Sequence, residues 1–161
     1  MSTSEPYIYV IGSLRNPQIP LVANALEAAG YEVFADWYGG GERADDSWQN
    51  YEKVRGKSYR EALDGPVARG CFMVDYTHLK KCDAAVLVAP GGKSAHLELG
   101  WIIGQGKPGF ILFDSEPERW DVMLQFCFVT DGDVCFGLDE LLEALAARFS
   151  EPPMPKGYLT E

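Results

Sequence analysis

Residues 83–113, DAAVLVAPGGKSAHLELGWIIGQGKPGFILF, constrain the fold more than any other stretch of the chain. Ala84–Ala89 is short and almost purely apolar, which suits a strand buried on both faces of a parallel sheet. Pro90, Gly91 and Gly92 break the run where the chain must turn. From Ser94 the period becomes helical, with Ala95, Leu99, Ile102 and Ile103 on one face. Gly104 and Gly106 end that helix, Pro108 prevents it resuming, and Phe110–Phe113 reads as the next buried strand. The result is a β-α-β unit, and ligands in such sheets sit at the carboxyl ends of the strands, where the helix begins. Glu98 lies one turn in from that end.

The same alternation extends in both directions. Tyr7–Gly12 reads as a first strand, followed by a loop Gly12–Asn16 and a helix carrying Ile19, Val22, Ala23 and Leu26 on one face. Tyr31–Ala35 reads as a second strand, ending at Asp36-Trp37-Tyr38. Val67–Cys82 reads as a helix leading into the central unit, Phe126–Thr130 as a fifth strand and Leu138–Phe149 as an amphipathic helix. Strand, helix and strand in sequence predict right-handed crossovers and parallel pairs. Residues 39–66 do not fit the alternation: three glycines open a polar stretch in which Trp48, Tyr51 and Val54 suggest a short helix from Ser47. A structureless loop of this length is rare in a compact domain. The alternatives are a lid at the ligand end and a surface excursion packed by Trp48 and Tyr51. The last residues, 150–161, contain three prolines and are expected to be extended.

Composition restricts the partners. At 161 residues the chain is expected to form one domain over 1–149. A net charge of −10 argues against a nucleic-acid polymer, while a small anion remains open to it if one or two cations are placed locally. No run is long enough to cross a bilayer and the start lacks a leader pattern, so no membrane partner and a cytoplasmic location are expected. Cys71, Cys82, Cys127 and Cys135 lack metal-ligand spacing, and Cys71 and Cys82 are expected to be buried free thiols. Neither a metal nor a cofactor is called for.

The residues at the predicted strand ends form a candidate pocket: Ser13, Arg15 and Asn16, then Asp36 and Trp37, then Gly91, Gly92, Lys93, Ser94 and Glu98, and finally Asp114. Asp83 falls at the opposite end and reads as structural. Gly91-Gly92-Lys93-Ser94 could cradle a phosphate, or could be a plain turn with Ser94 as N-cap. It matches neither the G-x-x-x-x-G-K-[ST] nor the G-x-G-x-x-G fingerprint. Glu98 is flanked by Leu97 and Leu99 behind a glycine turn, a setting for a catalytic carboxylate as well as for a helix-dipole partner. His96 lies about 200° around a ~3.6-residue helix from it and is not paired with it.

Three pieces together resemble the nucleoside 2-deoxyribosyltransferase family. They are Glu98-Leu99-Gly100 opening a helix that ends at Gly106-Lys107-Pro108, the segment Asp75…Leu79…Asp83, and Tyr9-Val10-Ile11-Gly12-Ser13-Leu14-Arg15. The last is similar to the opening of the 2′-deoxynucleoside 5′-phosphate N-hydrolase branch. The resemblance implies a flavodoxin-like (Rossmann-like) α/β fold, a five-stranded parallel sheet with helices on both faces. It implies cleavage of the N-glycosidic bond of a (deoxy)nucleoside or nucleoside 5′-monophosphate, by hydrolysis or by transfer to another base. Glu98 matches the nucleophile and Asp75 the assisting acid. Tyr9, Gly12, Ser13 and Arg15 match the nucleotide-lining segment, with Arg15 facing a 5′-phosphate. Lys93 and Ser94 match the loop that meets phosphate or sugar hydroxyls. Gly92 stands where the family has an aspartate or a serine, a departure in this chain. Family members are commonly homodimers or larger, a neighbour completing the site. Cleavage of NAD and a non-catalytic nucleotide sensor are the competing readings.

Overall fold

The computed structural model describes residues 5–150 of the chain, so most of the tail expected to be extended lies outside the described residues. In order the elements are β1 (Tyr7–Ile11), α1 (Gln18–Ala28), β2 (Glu32–Phe34), a 3-10 turn (Asp36–Gly40), α2 (Ala44–Val54), α3 (Tyr59–Leu63) and α4 (Pro66–Lys81). There follow β3 (Ala84–Val88), α5 (Lys93–Gly104), β4 (Gly109–Phe113), a second 3-10 turn (Val122–Gln125), α6 (Phe126–Val129), β5 (Asp133–Phe136) and α7 (Leu138–Phe149). The five strands form one sheet in the order β2-β1-β3-β4-β5, with every pair parallel. This is the flavodoxin-like α/β architecture expected from the sequence.

β1 and β3 are buried along their whole length, which explains why both read as apolar runs without alternation. Alternate residues serve opposite faces. Tyr7, Tyr9 and Ile11 join Leu79, Leu99 and Ile102 in one core, while Ile8 and Val10 join Ile19, Leu26, Leu141 and Leu145 in the other. β1 therefore aims Tyr9 toward α4 and α5, and the register sets it beside the small Ala85. The chain leaves β1 for one side of the sheet and returns through β3 on the other. The switch point between β1 and β3 opens a crevice at their carboxyl ends, bounded by the Gly12–Asn16 loop and the Pro90–Gly92 turn. Asn16 ties the two together: its Oδ1 accepts from the Gln18 amide at 2.9 Å, and its Nδ2 lies 3.5 Å from the Val88 carbonyl oxygen. At the other end, Lys107 Nζ donates to the carbonyls of Leu79 and Lys80 and closes the last turn of α4.

Four sequence expectations need correction. The fifth strand is Asp133–Phe136, pairing Cys135 with Leu112, whereas Phe126–Val129 is a helical turn that buries only Cys127. The alternating aromatics there mimic a strand, but Phe126 and Phe128 both face out. The turn into β5 is made by Asp131 in the left-handed region (φ 60°) and by Gly132, where a Cβ would collide with the Gly109 carbonyl. Cys71 is exposed, not buried, because the first half of α4 projects past the sheet; Cys82 is buried as expected. In the 39–66 segment there are two helices rather than one. Tyr51 and Val54 point outward, and the buried position is Glu52.

Candidate active site

Three side chains from three elements meet at the β1/β3 crevice. Tyr9 rises from the middle of β1, Asp75 comes from the point where α4 leaves the body of the protein, and Glu98 comes from the second turn of α5. Glu98 is largely buried, and its carboxyl is pushed up to about 7. Loss of hydration is the main cause, the Asp75 carboxylate adds to it, and a hydrogen bond from the Tyr9 hydroxyl works in the opposite direction. Asp75 is also raised by burial, an effect His78 partly offsets. Tyr9 is raised well beyond its ordinary value by burial and by the two carboxylates, so its hydroxyl remains a donor. Two carboxyls that influence each other titrate as a pair, and burial and mutual repulsion both favour the form in which the pair keeps a proton.

His78 sits one turn beyond Asp75 on α4. Its Nδ1 is 2.6 Å from the Tyr7 hydroxyl, and its ring stacks on Phe34 with centroids 3.7 Å apart. That fixes the imidazole beside Asp75. The i, i+3 spacing of Asp75 and His78 was visible in the sequence, yet only the stacking partner across the sheet gives it a meaning.

The remaining candidates spread along the same end of the sheet. A Cβ at Gly12 would collide with Ile19 Cδ1, so a side chain there requires Ile19 to shift. The Ser13 hydroxyl accepts from the Arg15 amide at 3.1 Å, and the Arg15 side chain reaches Asp46 of α2 at 3.7 Å rather than the carboxylates. Asp36 is exposed, while the Trp37 indole N–H donates to the Val10 carbonyl at 2.8 Å and so buttresses the β1 loop. The cap of α5 is Gly92 and not Ser94, and it carries no side-chain hydrogen bond. Lys93 and Ser94 are exposed beside it, so the first-turn amides have no side-chain acceptor at the cap. His96 is exposed, and Asp83 has the structural role expected of it, accepting from the Tyr7 amide at 2.8 Å.

No protein-family model matches the sequence, and no curated protein matches it. Solved structures do. One is the CMP N-glycosidase BcmB of Clostridium botulinum, with 18% identity and a TM-score of 0.51, covering 86% of this chain and 97% of that one. Another is a 2-deoxyribosyltransferase from the psychrotolerant bacterium Bacillus psychrosaccharolyticus, with 18% identity and a TM-score of 0.52, covering 84% and 90%. The likeness is one of fold.

Proposed function

We propose that this chain cleaves the N-glycosidic bond of a (deoxy)nucleoside or nucleoside 5′-monophosphate. The observation that carries the reading is the pair of carboxyls, Glu98 and Asp75, both raised by burial and held beside Tyr9 at the ligand end of the sheet. The two structural neighbours named above, one a CMP N-glycosidase and the other a 2-deoxyribosyltransferase, support it.

In the proposed reaction the shared proton moves to Asp75 when substrate binds, leaving Glu98 ionised. A Glu98 oxygen bonds to the anomeric carbon as the carbon–nitrogen bond breaks. The bonding electrons leave with the base, which takes the proton from Asp75. Water then attacks the same carbon, returns its proton to Asp75 and releases Glu98; a second base in place of water gives transfer. The sequence of steps parallels retaining glycosidases. Tyr9 donates to the Glu98 carboxylate and orients it. Arg15 exchanges Asp46 for a 5′-phosphate, which makes the α2–α3 insertion a lid latched by that ion pair. Gly92, Lys93 and Ser94 offer amides and hydroxyl to the sugar or phosphate. Gly12, Ser13, Asp36 and Trp37 shape the crevice.

A second copy of the chain completes the site in this proposal. Val67, Phe72, Met73 and Val74 on the projecting half of α4 are exposed, as are Val122, Met123, Phe126, Phe128 and Val129. Exposed apolar side chains in such number support an association face. The test is release of free base from a panel of nucleosides, nucleotides and NAD, with Glu98→Ala as control. Base from a nucleoside or nucleotide that vanishes in the variant is expected; cleavage of NAD alone, or of nothing, overturns the reading.

A further inference from the structure

The α2–α3 hairpin lines a half-open cavity of about 530 Å³, within the range of small-molecule pockets, and none of its lining residues belongs to the Glu98 crevice. Its lining includes Trp48, Gln49, Glu52, Lys53, Lys57 and Tyr59. Trp48 and Tyr59 form an aromatic corner, with centroids 6.3 Å apart and planes at 65°. Glu52 is the unexpected member. Its side chain is 5% exposed, with Oε2 3.7 Å from Arg55, and its Oε1 has no hydrogen-bond partner among the described residues. The Trp48 indole N–H beside it on the same helix face is also buried and without a partner among those residues. A buried acceptor and a buried donor left without partners are costly, and a ligand that pairs with both removes that cost. At the rim, Lys53 and Lys57 are exposed and make no ion pair among the described residues.

We infer that this hairpin carries a second ligand site, for a nucleoside monophosphate. A planar nitrogen heterocycle packs in the Trp48–Tyr59 corner, its N–H edge donating to Glu52 Oε1 and its carbonyl or ring nitrogen accepting from Trp48 Nε1. Both atoms are now shielded from water, so a turn of the indole opens them as the ring enters. The phosphate lies against Lys53 and Lys57. A bare heterocycle leaves the lysines unused, and inorganic phosphate leaves Glu52 unsatisfied. The cavity fits the combination. Because no bond is broken there, the site does not depend on cleavage at Glu98.

Equilibrium dialysis with cytidine 5′-monophosphate tests it, in a Glu98→Gln background so that the ligand is not consumed. Two equivalents per chain are expected. Adding Trp48→Ala, or the rim pair Lys53→Ala and Lys57→Ala, should weaken one of them by about tenfold or more while circular dichroism shows the fold retained. Cytidine and inorganic phosphate should each bind that equivalent at least about tenfold more weakly. A single equivalent lost with the rim lysines supports the hairpin site and counts against the Glu98 crevice. Binding that ignores Trp48, Lys53 and Lys57, or cytidine binding as tightly as its monophosphate, overturns the inference.

Discussion

Replacing Glu98 by glutamine should stabilise the protein while destroying its chemistry. Folding raises the proton affinity of Glu98 from the ordinary 4.5 to about 7. The native state therefore binds this proton more tightly than the unfolded chain does, and stability is lost as pH rises from about 4.5 to about 7. Above that window the ionised carboxylate costs (7 − 4.5) × ~1.36, or up to about 3 kcal/mol. Glutamine has the shape of the protonated acid and never ionises, so it removes the cost and also relieves Asp75. For a chain of this size that corresponds to a rise of about 5–10 °C in the unfolding midpoint. Thermal unfolding of both proteins at pH 8 and pH 4 is the assay. The gain should be present at pH 8 and absent at pH 4, where both side chains are neutral. A Glu98→Gln protein that is no more stable at pH 8, or equally stabilised at both pH values, would refute the claim that a carboxylate is being held against its hydration.

Two further outcomes follow from the same geometry. Base release should fall with pH along a limb centred near 7, because the proposed reaction uses the one proton that the Glu98–Asp75 pair keeps below it. Tyr9→Phe, which removes the hydrogen bond favouring ionised Glu98, should move that limb to higher pH; a limb unchanged in Tyr9→Phe counts against the contact. Asp46→Asn should release Arg15 from its exposed ion pair and improve KM for a 5′-monophosphate by about two- to fivefold, the range of a surface pair, without changing KM for the nucleoside. Equal effects on both substrates would remove Arg15 from the phosphate site.

The sheet was legible because buried parallel strands and their crossover helices leave a period that needs no tertiary context. Ala84–Val88 and Lys93–Gly104 are examples. Where the reading slipped, a long-range contact decided. Phe126–Val129 has the composition of a strand, but β4 pairs instead with Asp133–Phe136, and the tight approach of Gly132 to Gly109 fixes that choice. In α2 the apolar residues suggested the buried face, yet burial falls on Glu52, a placement that hydropathy assigns to solvent. Of the site, Glu98 could be singled out by its place on the helix after β3. The convergence of Asp75 and Tyr9 on it came from the family resemblance, not from local pattern. His78 was beyond reach, since its orientation depends on Tyr7 and Phe34, which come from two different strands.

Mass spectrometry of the protein after incubation with a slow 2-fluoro-substituted deoxynucleoside or its 5′-monophosphate tests the central claim most directly. A sugar-sized mass increase on the peptide containing Glu98, lost in Glu98→Gln, is the predicted result. Tight binding without an adduct, or an adduct on any other residue, would contradict it.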